Sequence, residues 1–286
     1  MSLVTCHSSL VTCHLSLVTC HSPLNPVRVL LLALLGLLLT PPALAQTEHR
    51  WLFGLVGSQN VLDTYLSPLS YTGLSHGTLH RSERPSRIGD GHWGVVFQTV
   101  TNFSYTASPT DDGHYFDLQG TLGAGLVRQW HPSRDLRFTA GAMLQGTGGF
   151  TYSTRNGNNP AQGRLAAELA PTATCEYGFR LGRMPLKARA QLDAPLIGLM
   201  FTPRYGQSYY ELFSLGHYDR NIVLSHPFNA PTVRLLTTLD FRLRHTVLTV
   251  GYQADIRQSH VAGLKRHAWS HSLVVGFVRK VKRIKE

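Results

Sequence analysis

Histidine, cysteine and arginine are the residues of this sequence with the widest chemical range, and their placement sets what chemistry is on offer. Ser-Leu-Val-Thr-Cys-His occurs three times, at 2–7, 9–14 and 16–21. Cys6, His7, Cys13, His14, Cys20 and His21 are zinc ligands by type. The near-identical copies lack an apolar seam and read better as translated repetitive DNA ahead of the true start. Farther on, His76, His217, His226, His260, His267 and His271 fall in or near predicted loops, with Asp111, Asp112, Asp219 and Ser259 in reach. A nucleophile needs a positioned base, and no spacing singles out such a set. Gly-x-Ser-x-Gly and His-Glu-x-x-His are both absent. The expectation is no enzyme: no catalytic residue, no metal and no cofactor.

The charged residues are more orderly. Asp117, Glu168, Glu176, Asp193, Asp240 and Asp255 share a parity with Arg137, Arg164, Arg180, Lys187, Arg189, Arg234, Arg242, Arg244 and Arg257. A face on which acids and bases alternate with apolar neighbours is a buried salt-bridge network or a pocket for an anionic ligand. Arg137, Arg164, Arg180, Arg189, Arg234, Arg242 and Arg244 are the candidate basic cluster. Tyr205, Tyr209, Tyr210 and His217, in the aromatic-rich stretch 201–230, are the candidate surface-loop residues.

These side chains need elements to hold them. Arg28, the apolar run from Val29 to Leu39 and Ala43-Leu44-Ala45 form a secretory signal with cleavage after Ala45. Eleven apolar residues are too few to cross a bilayer about 30 Å thick as a helix. The expected organisation is a repetitive extension at 1–25, a signal peptide at 26–45 and one domain at 46–286, with translation starting near Val27. Cleavage there leaves Cys175 as the lone cysteine, so no disulfide forms within the mature chain.

Past the signal the pattern has a period of two, which is strand geometry. Between 136 and 152 one face reads Leu136, Phe138, Ala140, Ala142, Leu144, Gly146, Phe150, Tyr152, and the other carries Arg137, Thr139, Gln145 and Thr147. With 26 Gly, 12 Phe and 11 Tyr and only 15% charged residues, a helical bundle is excluded. Ten strands follow, roughly at 60–72, 76–87, 92–106, 113–130, 135–153, 163–182, 185–200, 231–243, 246–257 and 271–283. Short connections (131–134, 182–185, 244–246) alternate with long ones (154–162, 201–230, 258–270), as in an up-and-down transmembrane barrel. Trp93, Trp130, Phe138, Tyr177, Phe179 and Phe241 fall near one set of strand ends. Phe103, Tyr105, Phe116, Phe150 and Tyr152 fall near the other, forming two aromatic girdles. Pro171 sits mid-strand and predicts a bulge or a register change there. The segment 201–230 has room for two further strands, which would make twelve. A secreted soluble β-sandwich explains the alternation but not the girdles.

The stretch Asn60-Val61-Leu62-Asp63-Thr64-Tyr65-Leu66-Ser67-Pro68-Leu69-Ser70-Tyr71-Thr72-Gly73, followed by Glu83-Arg84, resembles an uncharacterised family of Gram-negative outer-membrane β-barrels typical of gut anaerobes, a domain of unknown function. The sequence departs from many such barrels in ending Lys280-Val281-Lys282-Arg283-Ile284-Lys285-Glu286 rather than on an aromatic. The expected product is a monomeric outer-membrane barrel with both termini periplasmic and a narrow, side-chain-filled lumen. Its expected role is structural or surface ligand-binding; a narrow anion or small-solute channel is the alternative, and a barrel lipase or protease a further one. Its expected partners are outer-membrane lipid, lipopolysaccharide, the barrel assembly machinery and an unknown surface ligand. The basic tail at Arg279, Lys280, Lys282, Arg283 and Lys285 suits lipid phosphate, and no nucleic acid is expected.

Overall fold

Alternating sequence commits the backbone to strands, but strands leave an edge unpaired unless the sheet closes. In the computed structural model, which describes residues 46–282 apart from Arg87, Asn158, Asp219, Arg244 and His245, it closes. The proposed extension and signal at 1–45 lie outside the described residues. The strands are β1 (Gln46–Asp63), β2 (Ser67–Pro85), β3 (Trp93–Ala107), β4 (His114–Trp130), β5 (Leu136–Ser153) and β6 (Ala161–Leu181). Then come β7 (Met184–Asp193), β8 (Ile197–Phe201), a short helix α1 (Tyr209–Phe213), β9 (Ile222–Ser225), β10 (Thr232–Arg242), β11 (Val247–Val261) and β12 (Leu264–Lys282). β1 pairs antiparallel with both β2 and β12, and β10 pairs with β7, so ten strands complete the ring. No helix among the described residues is long and apolar enough to cross a membrane.

The two remaining strands belong to the same wall. β5 occupies one edge of β6 along 161–177. The other edge of β6 is shared by β7 at 172–181 and β8 at 165–169. β8 therefore continues the stave that β7 begins, and β9, paired with β8, precedes β10 in the next stave. Pro171 sits at that break. Its register with Ala142 is continuous, so it makes neither the bulge nor the slip expected. Its carbonyl accepts from Ala194 N at 3.1 Å, on the interrupted edge. A residue's N and C=O point to the same side of a strand, so the donor that proline lacks faces the gap between β7 and β8.

Three other expectations change. The first strand runs from Gln46 to Asp63 and turns at 64–66, instead of spanning 60–72. That turn has neither Gly nor Pro: Asp63 Oδ1 accepts from Tyr65 N (3.2 Å) and Asp63 O from Leu66 N (2.9 Å). A bulge between Gly54 and Val56 turns Leu55 and Val56 both outward, 66% exposed each, which breaks the two-residue period and hides the strand. The long connection expected at 258–270 is a two-residue turn, Ala262 (φ 53°) and Gly263 (φ 79°), of the kind that suits the twist of a tight hairpin. Finally, short and long connections do not alternate cleanly. One end carries 86–92, 131–135, 182–183 and 243–246; the other carries 64–66, 108–113, 154–160, 262–263 and the single large excursion between β8 and β9. We call these the terminal end, where Gln46 meets Lys282, and the loop end.

Outside, the barrel is apolar. Leu118, Leu122, Leu144, Leu165, Leu169 and Leu273 are exposed, between Trp51, Phe97, Trp130, Phe138 and Tyr177 toward the terminal end and Phe103, Tyr105, Phe150, Tyr152 and Trp269 toward the loop end. An outward apolar band bounded by aromatic girdles is the surface a lipid bilayer requires. The residues buried from water are inside the ring. They include an apolar cluster at mid-height of Leu52, Leu79, Val100, Leu236 and Val274, and a second of Val96, Val127 and Met143.

Candidate functional site

Inward parity places charges in the lumen, and they sort into two storeys. The lower one lies toward the terminal end. Arg50 of β1 donates from both Nη atoms to Asp240 of β10, at 2.7 and 2.8 Å, and Thr249 Oγ1 donates to the same carboxylate at 2.8 Å. Arg81 Nε donates to Glu83 (2.8 Å) and its Nη1 to Gln98 (3.0 Å). Glu176 accepts from Arg137 (2.9 Å), Lys187 (3.1 Å) and Arg189 (3.2 Å). Gln98 of β3 and Gln191 both donate to Asp193 of β7, at 2.8 and 2.9 Å. A bidentate Arg–carboxylate pair is the strong form of a buried ion pair, and Arg50–Asp240 joins strands three places apart in the ring.

The upper storey lies toward the loop end. Asp117 accepts from Thr151 and Arg164, each at 2.5 Å, and from Gln59 at 3.4 Å. Asp255 accepts from Arg234 (3.1 Å) and Arg257 (2.8 Å). Glu168 accepts from Ser225 (3.1 Å) and Gln145 (3.3 Å). Arg266 is held more loosely: Asp117 is 3.5 Å away and Asp63 3.8 Å, and its buried Nε and Nη2 have no hydrogen-bond partner. Arg164 Nε and Asp63 Oδ2 are likewise buried without one. Beside these groups is a cavity of about 100 Å³ lined by Arg164, Arg234, Arg257, Arg266, Glu168 and Asp63, with Gln119, Gln145 and Gln162. Cations and anions both line it, so it offers paired donors and acceptors rather than one sign of charge.

Aromatic side chains roof this storey. Tyr71 and Tyr115 stack at 3.6 Å between centroids inside the ring, packed with Val61 and Leu66. The excursion between β8 and β9 folds back through Tyr209, whose hydroxyl accepts from Gly163 N at 2.6 Å and donates to Gln162 at 3.1 Å. Tyr65 meets Tyr209 edge-on at 6.0 Å and donates to Gln207 O at 2.9 Å. Burial pushes the Tyr65 hydroxyl up to about 12, with Tyr209, Asp63 and Glu211 adding to it. α1 is fixed by a reciprocal cap: Ser208 Oγ accepts from Glu211 N and Glu211 Oε2 accepts from Ser208 N. That backbone donor, with the Ser208 side chain, holds the Glu211 carboxyl below its usual range.

Of the predicted basic cluster, Arg137, Arg164, Arg189 and Arg234 are in the lumen network. Arg180 and Arg242 are exposed at the terminal end, Arg242 on the rim of an open mouth lined also by Glu48, Lys187 and Lys280. Arg244 lies outside the described residues. Tyr209 is anchored on the mouth, whereas Tyr205, Tyr210 and His217 stay exposed. The sequence reading missed Arg50, Asp63, Arg81, Glu83 and Arg266. All sit in β1, β2 and β12, the strands whose boundaries it misplaced. Continuing the alternation back through Arg50 and Leu52, against His49, Trp51 and Phe53, is the signal that finds them.

The family described as Protein of unknown function (DUF3316) matches residues 43–286. No curated protein sequence matches the chain. Among solved structures, the outer membrane protease OmpT of Escherichia coli is similar over 82% of this chain and 97% of its own, at 7% identity and a TM-score of 0.47. The translocator domain of the autotransporter NalP of Neisseria meningitidis covers 91% and 96%, at 10% identity and 0.37. The attachment invasion locus protein Ail of Yersinia pestis, crystallised with a heparin analogue, covers 82% and 99%, at 10% and 0.29.

Proposed function

The chain belongs to the DUF3316 family of unknown function, and from that premise we propose that it is an outer-membrane β-barrel with a closed lumen. Its role in this reading is structural or ligand-binding at the cell surface, and it passes no solute. The observation that carries the proposal is the lower storey, where Arg50–Asp240 and Gln98–Asp193 bridge the ring next to the apolar cluster around Leu52 and Leu236. Barrels of about eight strands are filled by their side chains, and aqueous channels come with sixteen or more. A channel would also need charges free to exchange ions, and these are matched to one another. The ligand-binding part of the reading rests on the upper cavity, where Arg266, Arg164 and Asp63 keep buried polar atoms without hydrogen bonds.

In this reading the apolar band contacts outer-membrane lipid and lipopolysaccharide, the barrel assembly machinery inserts the chain, and it stands as a monomer with both termini periplasmic. Fractionated cells test it. The protein is expected in the outer-membrane fraction as a compact band that slows on boiling, and protease added to intact cells is expected to cut within 202–221. A soluble protein without a heat shift, or a loop protected in intact cells and cut only after lysis, contradicts it.

A further inference from the structure

The upper cavity has no excess of either charge. Arg164, Arg234, Arg257 and Arg266 line it. Asp63, Asp117, Asp255 and Glu168 in the same storey match them one for one, and Asp193 lies 3.9 Å from Arg234. Among the described residues that line the cavity, the buried side-chain atoms left without a hydrogen bond are three nitrogens and one oxygen. They are Arg266 Nε and Nη2, Arg164 Nε and Asp63 Oδ2. Arg266 Nε and Arg164 Nη1 each lie 3.8 Å from that oxygen, too far to donate to it. Arg266 Nη2 stops 3.5 Å from Asp117. The Nη atoms of Arg164 are already engaged by Thr151 and Asp117. Asp63 is held in place, because its Oδ1 accepts from Tyr65 N at 3.2 Å.

We infer that this cavity takes an uncharged vicinal polyol, such as glycerol or the hydroxylated end of a sugar, an assignment that rests on the reading of it as a ligand site. A hydroxyl has two lone pairs and one hydrogen. It therefore accepts from an arginine and donates to a carboxylate at the same time, which suits three unmet nitrogens beside one unmet oxygen. One hydroxyl oxygen at about 2.8 Å from each reaches both Arg266 Nε and Asp63 Oδ2 across their 3.8 Å gap. A second, on the adjacent carbon, meets Arg266 Nη2, because the rigid guanidinium fork presents its N–H bonds in parallel. Other groups fit less well. A carboxylate has no hydrogen to give Asp63, and any anion sets a further negative charge against Asp63 and Asp117. An ammonium has no lone pair for the arginines. Size narrows the ligand further. The cavity of about 100 Å³ equals the liquid volume of roughly three waters at about 30 Å³ each. That is room for a three-carbon polyol or the end of a sugar, and not for a whole sugar ring. Met200, Ala230 and Leu264 supply an apolar wall for its carbon side.

A probe series on the wild type separates the ligand class from the existence of a site. The full chain, refolded in detergent and checked by heat-modifiability, is titrated with glycerol, propane-1,3-diol, acetate and inorganic phosphate, with binding followed by saturation-transfer NMR. Glycerol is expected to bind. Propane-1,3-diol lacks adjacent hydroxyls and is expected to bind at least about tenfold more weakly, the effect of leaving a buried polar atom unpaired. Acetate or phosphate binding more tightly than glycerol overturns the polyol assignment and leaves a ligand site standing. No binding of any of the four overturns both. Two variants then place the polyol. In Asp63→Asn the amide oxygen stays with Tyr65 N, so its NH₂ replaces the acceptor Oδ2. Arg266→Lys keeps the charge but loses the planar fork. Each is expected to weaken glycerol binding at least about tenfold while the heat shift is retained. Folded variants that both bind glycerol as the wild type does place it elsewhere and overturn the inference.

Discussion

The two storeys of the lumen use the same residue types to opposite effect. Below the apolar cluster, Arg50 and Asp240 meet through two hydrogen bonds of 2.7 and 2.8 Å, and Glu176 is shared by three cations. Above it, Arg266 approaches Asp117 and Asp63 only at 3.5 and 3.8 Å and leaves two nitrogens without partners beside a cavity. Burying ions is costly unless their geometry is good and the remaining lone pairs are satisfied. The Arg50–Asp240 pair meets that condition and acts as a strut, although Arg81 Nη2 and Arg137 Nε in the same storey are also buried without partners. The upper storey sets such atoms beside a cavity, and the reading proposed above therefore gives closure to the lower storey and recognition to the upper.

Removing one member of the tightest lower pair should have the largest effect. Arg50→Met strands a buried Asp240, and stability in urea is expected to fall by about 3–5 kcal/mol. Adding Asp240→Leu should restore most of it, because an apolar pair of similar volume removes the stranded charge. Equal losses in the single and double variants would break the contrast. The matching change above, Arg266→Met, is expected to cost about 1 kcal/mol, an ordinary single-substitution effect, since its contacts lack hydrogen bonds. A loss as large as that of Arg50→Met would erase the distinction between storeys.

The roof supplies finer tests. Ser208→Ala removes the cap of α1 and should weaken it by roughly 0.5–1 kcal/mol, seen as faster hydrogen exchange at 209–217 with no change in barrel stability. Because the folded Glu211 carboxyl is held below its usual range, the cap it contributes is present at neutral pH and fades as pH falls through that lowered value. At the other extreme, Tyr65 titrates at about 12. Its packing is intact below the usual tyrosine value near 10 and is lost as pH rises from there through about 12. Ultraviolet phenolate absorbance should show a component ionising at about pH 12 that disappears in Tyr65→Phe; identical titrations of the two proteins would place Tyr65 in water.

Much of the fold was legible because a barrel wall obeys a two-residue period almost everywhere. β3 to β6 begin and end within two residues of where the alternation puts them. The period failed where Leu55 and Val56 both face out, and where polar inward residues such as Ser259 and Arg266 made the ends of β11 and β12 read as loop. The site was less legible. The Arg50–Asp240 pair joins residues 190 positions apart. Such a meeting is set by which strands close the ring and in what register, quantities that no local spacing encodes.

Closure of the lumen is the claim on which the rest depends, and conductance across a planar bilayer tests it most directly. The refolded wild-type protein is expected to insert without opening a steady ionic path, while Arg50→Met, with its strut broken, should leak. A wild-type barrel that conducts steadily, with Arg50→Met indistinguishable from it, would contradict the account.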